Sequence, residues 1–171
     1  LSLWNKCIEL GKDFNITPYG TETMHVLRAE KGYVIVGQET DGSVTPVDLD
    51  MNWIVSKKKY DFIGKRALIR SDTVKEDRKQ LVGILTVDPS IVLEEGSQLV
   101  EVETSLPMPM VGHITSSYYS PNLGRSIALA LVKSGTKKKG VKLIVPTVNS
   151  SIEVEITNPV FIDPENERLM A

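Results

Sequence analysis

Residues 111–132 read VGHITSSYYSPNLGRSIALALV, and the folding pattern of the second half of the chain is clearest in this stretch. Two apolar runs, MVGHITS at residues 110–116 and SIALALV at residues 126–132, lie on either side of the sequence SPNLG. Proline and glycine mark turns, and short apolar runs bounded by turn residues are typical of β-strands. The stretch therefore predicts two strands with a turn between them.

Similar runs recur between residues 80 and 157, as LVGILTV, SQLVEV, VKLIV and SIEVEI. Turn sequences such as DPS, EEG and KKKG separate them, at the spacing of roughly 8–12 residues that small all-β domains show. SIEVEI alternates strictly, which predicts one wet face, whereas the continuous runs LALV and LIV predict burial. Six such strands predict a small β-barrel or a β-sandwich.

The first part of the chain has the pattern of helices. In residues 1–10, LSLWNKCIEL, the apolar side chains fall on one face of a helix. A second helix is predicted to start with Thr17 as its cap and Pro18 in its first turn. It should run to about Lys31 and end at Gly32, because glycine commonly terminates helices.

Shorter elements follow the second helix. Apolar runs predict strands at residues 33–37 and 51–55, with a turn at residues 40–43, where the sequence is TDGS. DFIGKRALI at residues 61–69 predicts a short helix. The polar and charged segment 71–79 is the best candidate for a linker between two lobes.

The composition excludes several classes of protein. The chain has 171 residues and a formal net charge of -2, so no broad basic field attracts nucleic acid or an anionic membrane. No apolar run approaches the roughly 18 residues that span a bilayer. Cys7 is the only cysteine, which excludes an internal disulfide and fits a reducing compartment, so we expect a cytoplasmic protein. Because the chain starts at Leu1 in what looks like a helix, we expect a processed subunit or a fragment.

Arg28, Glu30 and Lys31 lie in the last turn of the predicted second helix. Unpaired carbonyl groups make that end of a helix negative, which suits Arg28 and Lys31 but not Glu30. One interpretation is a surface glutamate that is offset by Lys31 or that forms an ion pair with a part of the polypeptide outside this sequence. The other is a pair of charges placed for a ligand, since arginine binds carboxylates bidentately and a carboxylate accepts hydrogen bonds from a heterocycle.

Three ordered motifs give the sequence a family resemblance. They are LRAEKGYVIVGQETDGSVTP at residues 27–46, NWIVSKKKYDFIGKRAL at residues 52–68, and VGHITS followed by SPNLGRSIALALV. Together they resemble the second half of the aminomethyltransferase family, the T-protein of the glycine cleavage system. Within that family they most resemble the C-terminal region of the alpha subunit of heterotetrameric sarcosine oxidase.

The resemblance implies an α+β fold in two parts. Residues 1–75 would be the C-terminal part of the folate-binding aminomethyltransferase domain, with N-terminal helices and a short antiparallel β segment. Residues 76–171 would form a six-stranded antiparallel β-barrel domain. The family pattern tends to carry glycine near Asp50, so the local turn is expected to differ here.

The resemblance also implies a function. Proteins of this family bind tetrahydrofolate and capture a one-carbon unit from an N-methyl or aminomethyl donor as methylenetetrahydrofolate. The family's catalytic aspartate lies in the half that precedes this region, so we expect no catalytic residue here and no activity of the isolated chain. Arg28 is the first candidate for contacting folate or ordering the missing acid, and Glu30 for pairing with Arg28 or nearby backbone. Tyr33 and Trp53 are candidates for flat surfaces near the pterin or aminobenzoyl ring, although such residues more often pack in cores.

Tetrahydrofolate is therefore the expected cofactor, while FAD, FMN and NAD are expected only on other domains or subunits. The expected partners are the upstream half of the same polypeptide or other oxidase subunits. Two alternatives remain open: a non-catalytic structural or docking module of a multisubunit oxidase, and part of a folate-dependent demethylase. No metal site is expected, because His25 and His113 have no cysteine or carboxylate at ligand spacing.

Overall fold

The computed structural model describes residues 1–148 and 150–170, and it confirms the predicted α+β fold. The helices and strands, in chain order, are α1 (Ser2–Gly11), α2 (Thr21–Glu30), β1 (Lys79–Thr86), β2 (Gln98–Leu99), β3 (Gly112–Ser120), β4 (Arg125–Lys133), β5 (Lys142–Pro146), β6 (Ser151–Thr157) and α3 (Glu167–Met170). Short 3-10 helices lie between several of them. No helix among the described residues has the length and apolar character needed to cross a membrane.

The six strands form one antiparallel sheet that closes on itself. Their order is β2-β3-β4-β1-β6-β5, so β2 and β5 are the two outer strands. Val100, just after β2, pairs with Ile144 in β5, and each backbone N–H donates to the other's carbonyl oxygen at 2.9 Å. This bridge brings the two outer strands of the sheet together, and it selects the barrel over the sandwich.

The barrel interior is the main hydrophobic core. It is built mainly from alternate residues of the strands, which point to one side of the sheet, and Leu93 joins them from the segment between β1 and β2. Its buried members are Val82, Ile84, Leu93, Leu99, Ile114, Ala128, Ala130, Val132, Leu143, Val145, Val154 and Ile156.

A second, smaller cluster covers the outside of the barrel. Leu81 of β1 and Leu129 and Leu131 of β4 are buried there, on the face opposite to the barrel interior. Val34, Val44, Leu49 and Phe161 pack against them. The run LALV is therefore continuous because β4 is buried on both faces: one faces the barrel core and the other faces the first part of the chain.

A β-bulge in β3 determines which of its side chains face that first part. The pairing of β3 with β4 shifts between Ile114, opposite Ala130, and Ser116, opposite Leu129. Residues paired directly across strands share a face, so Ser116 points to the outer side with Leu129. Without the extra residue, Ser116 would point into the barrel core. The bulge thus turns the polar face of β3 towards α2.

Helix α2 starts later than the sequence predicts. It begins at Thr21 and not at Pro18, because Gly20 takes the extended conformation of a helix cap. The Thr17 hydroxyl donates instead to a preceding backbone carbonyl, at 3.3 Å. The predicted end is confirmed, since α2 stops two residues before Gly32, whose φ of +69° suits glycine.

The short β segment expected in the first part of the chain is not formed by the described residues. Residues 33–37 take part in only one bridge pair, Val36–Thr40, and of this run Val34 packs on the barrel whereas Val36 is 88% exposed. Residues 51–55 were also predicted as a strand, but they contain the 3-10 helix Asn52–Ile54. Short apolar runs do not by themselves distinguish strands from other segments, which explains both errors.

Two other local predictions differ in detail. The helix expected at residues 61–69 is a shorter 3-10 helix, Lys65–Ile69. Asp50, where the family pattern tends to have glycine, has a φ of 58°. Aspartate enters this left-handed region more readily than most residues, so the turn keeps a conformation that glycine would also allow.

Asp48 and Arg78 tie the first part of the chain to the start of the barrel. Arg78 Nε donates to Asp48 Oδ1 at 2.9 Å and Arg78 Nη2 donates to Oδ2 at 2.5 Å. Asp48 is only 2% exposed, and the backbone N–H and hydroxyl of Thr45 also donate to it. Burial acts to raise the pKa of Asp48, but the hydrogen bonds from Arg78 and Thr45 outweigh it and hold that pKa below its usual value.

Asp48→Asn should lower the free energy of unfolding by about 2–3 kcal/mol near pH 7, because Arg78 loses its charged partner. Asp48 has a lower pKa in the folded chain than the roughly 3.9 of an unfolded chain, so its contribution is complete above about pH 4 and is lost as the pH falls further. Urea unfolding at several pH values between about 7 and 3 measures this deficit. Asp13→Asn, at an exposed site, is the control. A deficit that stays constant down to about pH 3 would contradict the ionic role.

Candidate functional site

The last turn of α2 places the Arg28 side chain between the first part of the chain and the barrel. Arg28 Nη1 donates to Glu39 Oε2 at 3.0 Å and to the carbonyl oxygen of Tyr33 at 3.2 Å. The exposed fractions of the Arg28 and Glu39 side chains are 9% and 0%. Glu39 Oε2 also accepts a hydrogen bond from the backbone N–H of Ile35, at 2.7 Å. This ion pair is therefore buried and is supported by backbone groups.

Arg28 also reaches the outer face of β3. Its Nη2 donates to Ser116 Oγ at 2.6 Å, to Tyr118 Oη at 3.3 Å and to Gln38 Oε1 at 3.4 Å. The guanidinium carbon lies 5.6 Å from the centre of the Tyr118 ring, a cation–π distance. The Ser116 hydroxyl in turn donates to the other oxygen of Glu39. One cation, one anion and one hydroxyl thus form a closed network.

Glu30 is held by the same end of the barrel, through Ser120 of β3 and Asn122 just after that strand. The Ser120 hydroxyl donates to Glu30 Oε1 at 2.5 Å, and Asn122 Nδ2 donates to both carboxylate oxygens at 3.1 and 2.9 Å. Glu30 is 3% exposed. These donors explain a glutamate at the negative end of a helix, because they outweigh an unfavourable dipole interaction of up to about 1 kcal/mol.

The C-terminal segment closes over the end of α2. The backbone N–H groups of Phe161 and Ile162 donate to the carbonyl oxygen of Glu30, at 2.9 and 3.0 Å. Lys31 Nζ donates to the carbonyl oxygen of Asp163 at 2.5 Å and to Asn166 Oδ1 at 2.8 Å. The helix end therefore has partners on both sides, and its last carbonyl groups are satisfied.

The structure brings together only part of the predicted site. Arg28 and Glu30 both face β3, but they contact different side chains and not each other. Tyr33 is 52% exposed and lines a groove of about 360 Å³ that Glu30 and Asn122 also line. Trp53 lies on the separate 3-10 helix Asn52–Ile54, where it is 79% exposed.

Sequence reasoning missed Glu39, Ser116 and Tyr118. Glu39 follows the apolar run VIVG, and a charged residue that close to a packed run was a usable signal of a buried pair. Ser116, Tyr118 and Ser120 recur at every second position, which is the spacing of one strand face. The bulge that directs them outwards leaves no comparable mark in the sequence.

The network limits what Arg28 can do chemically. Both of its terminal nitrogens donate to groups of the chain, whereas Arg28 Nε is buried without a partner among the described residues. A guanidinium so occupied orders the residues around it. To bind a ligand carboxylate with both terminal nitrogens, Arg28 would have to break its hydrogen bond to Glu39 or to Ser116.

Glu30→Ala should lower the free energy of unfolding by about 2–3 kcal/mol, because the buried Ser120 hydroxyl would lose its acceptor and Asn122 would lose two hydrogen bonds. Glu30→Gln should lose clearly less, since its amide oxygen still accepts. Urea unfolding of both variants measures the difference. Glu9→Ala removes an exposed ion pair with Lys6 as the control, and its cost should stay below about 1 kcal/mol. Equal losses for Glu30→Ala and Glu9→Ala would show that the buried contacts add nothing.

Comparison with protein families places both parts of the chain. Residues 1–59 match the family model described as the GCVT N-terminal domain. Residues 79–163 match the model described as the glycine cleavage T-protein C-terminal barrel domain. In structure, the chain is similar to glycine cleavage system aminomethyltransferase T from Bartonella henselae, with a TM-score of 0.77, 21% identity, and coverage of 92% of this chain and 43% of that one.

Curated relatives include two kinds of enzyme. The chain is 52% identical to the sarcosine oxidase alpha subunit of Corynebacterium sp. (strain P-1), over 98% of its own length and 18% of that subunit. It is 41% identical to the alpha subunit of Rhizobium meliloti (strain 1021), over 98% of this chain and 17% of that subunit. It is 31% identical to the aminomethyltransferase of Thermotoga neapolitana, over 93% of this chain and 41% of that enzyme. The chain thus spans less than a fifth of the oxidase subunits that it matches. With both family models matched in order along it, this chain belongs to the glycine cleavage T-protein (aminomethyltransferase) family.

Proposed function

We propose that the chain is the C-terminal portion of an enzyme like the sarcosine oxidase alpha subunit, and that it forms one wall of a tetrahydrofolate cleft. There a one-carbon unit from an N-methyl or aminomethyl donor is captured as methylenetetrahydrofolate. The identity to the oxidase subunits over 98% of the chain supports the assignment of the region. The observation that carries the proposal is the contrast between a closed barrel and an open apolar surface on residues 1–69.

That open surface is extensive. Large apolar side chains there are more than half exposed, among them Leu3, Trp4, Leu10, Phe14, Tyr19, Tyr33, Trp53, Tyr60, Ile63 and Ile69. A groove of about 460 Å³ between α1 and α2 is lined by Trp4, Ile8, Ile16 and Met24. Exposed apolar surface on this scale marks a contact with another part of the protein or with a ligand.

The proposed occupant of most of this surface is the upstream half of the same polypeptide. The family model for the N-terminal domain matches only residues 1–59, and that domain would need further chain to complete its core. The catalytic carboxylate would come from that upstream half, so the isolated chain would be inactive. FAD, FMN and NAD would bind other domains or subunits, in a cytoplasmic enzyme.

Within the cleft, the four predicted residues have different proposed roles. Arg28 orders the wall through Glu39 and Ser116, and Glu30 fixes the end of α2 to the barrel. Tyr33 and Trp53 present exposed rings that would stack against the pterin or aminobenzoyl ring.

A docking module is the second candidate. The observation that favours it is the internal pairing of Arg28 and Glu30, whose polar groups mostly bind the chain itself. Such a module would offer its apolar face to the upstream polypeptide and would bind no folate. The two functions differ in whether the wall residues contribute to folate affinity.

In the full-length enzyme, Tyr33→Ala and Trp53→Ala should each raise the dissociation constant for folinic acid about 3- to 10-fold, as expected for loss of an aromatic contact. Fluorescence titration measures this affinity. Tyr119→Ala is the control, because Tyr119 is a 47% exposed tyrosine on β3, outside the open apolar surface of residues 1–69. Unchanged affinity in both variants, with the enzyme still assembled, would favour the docking module and contradict the cleft.

A further inference from the structure

A cavity lies between residues 37–44 and the outer face of the barrel. Its volume is about 290 Å³, close to the lower limit for small-molecule sites. Val44 and Leu131 form its apolar part. The other lining residues are Gly37, Gln38, Glu39, Thr40, Asp41, Ser43, Arg78, Lys79 and His113.

The charged residues of this cavity are not all equivalent. Arg78 is paired with Asp48, and Glu39 is paired with Arg28, so neither brings an uncompensated charge. Lys79 differs from them. Among residues 1–148 and 150–170, no carboxylate oxygen is recorded within 4.0 Å of its ammonium group, whose one side-chain partner is His113.

Lys79 and His113 lie side by side in the cavity lining and are hydrogen-bonded to each other. Lys79 Nζ lies 3.4 Å from His113 Nδ1. Because an ammonium group can only donate, His113 Nδ1 accepts, and the ring proton is left on Nε2. Burial and the Lys79 charge lower the pKa of His113 below its usual value, so the imidazole is neutral near pH 7.

Asp41 is the negative charge in the cavity lining that opposes the positive charge of Lys79. It is exposed at the rim, and its Oδ1 accepts hydrogen bonds from the backbone N–H and the hydroxyl of Ser43, at 2.7 and 2.6 Å. Its effect on the pKa of His113 is opposite in sign to that of Lys79 and smaller. The field at the imidazole is therefore dominated by the lysine.

We propose that this cavity binds the carboxylate of a small organic acid, with Lys79 as its counter-ion and the His113 Nε2–H as a second donor. Val44 and Leu131 would contact the aliphatic body of the acid. Asp41 at the rim offsets part of the Lys79 charge, so the cavity balances at most one negative charge of a ligand, which favours a monocarboxylate. A phosphate dianion would bring a second charge close to Glu39 and Asp41, and like charges repel.

Butyrate is a suitable probe, because it combines one carboxylate with a short apolar chain. Titrating it into the chain at constant ionic strength and about pH 7.5 should give saturable shifts of the His113 ring signals in NMR spectra, with a dissociation constant on the order of 1–10 mM. The signals of His25, on α2, should stay constant. Butyramide, with the same shape and no charge, should produce no saturable shift.

Lys79→Met should weaken butyrate binding at least about tenfold, since the counter-ion is lost. Lys133→Met is the matched control: Lys133 is exposed, lies directly opposite Lys79 in the β1–β4 pairing, and does not line the cavity. The affinity of the Lys133→Met variant for butyrate should stay within about twofold of that of the unmodified chain. Spectral dispersion checks that both variants are folded, and Lys79→Gln replaces Lys79→Met if the latter is not.

Several results would overturn the proposal. These are the absence of a saturable His113 shift, equal binding of butyramide, equal affinity in the Lys79 variant, and inorganic phosphate binding more tightly than butyrate. Neither probe is a folate, so the outcome is independent of the function proposed above.

Discussion

The buried ion pair between Arg28 and Glu39 is the constraint on which the arrangement of this chain depends. Moving two charges out of water costs several kcal/mol each, and the pair repays this only if its remaining donors and acceptors are satisfied. Here Ser116, Tyr118, Gln38 and backbone groups satisfy nearly all of them. The network can form in only one relative placement of α2, residues 33–39 and β3. It therefore fixes where the first part of the chain meets the barrel.

The bulge in β3 is what makes this network possible. By shifting the register between Ile114 and Ser116, it keeps Ile114 in the barrel core and turns Ser116, Tyr118 and Ser120 outwards. The end of α2 then meets this polar face, with Arg28 on the first two residues and Glu30 on the third. Around it, Leu81, Leu129 and Leu131 supply an apolar contact that is not specific in direction. Apolar packing holds the parts together, and the polar contacts determine their orientation.

The sequence predicted the barrel well and the first part of the chain less well. All six strands were anticipated, because each combines an apolar run with flanking turn residues, and a closed sheet requires this pattern around its whole circumference. The runs at residues 33–37 and 51–55 have similar composition but are not paired in a sheet, and local composition does not reveal a missing strand partner. Glu30 was singled out by its conflict with the negative helix end, and Arg28 by its capacity to bind a carboxylate and by the family resemblance. Glu39 and Ser116 were not, since their roles arise from contacts distant in sequence and from a bulge.

A double-mutant cycle on Arg28 and Glu39 tests most directly whether this pair fixes the junction. The free energy of unfolding is measured for the unmodified chain, Arg28→Ala, Glu39→Ala and the double variant, by urea denaturation. Either single change leaves the other charge buried without its partner, so the two losses should overlap strongly and give a coupling energy above about 1 kcal/mol. Additive losses, with coupling below about 0.5 kcal/mol, would mean that the two side chains stabilise the fold independently and that the ion pair does not fix the junction.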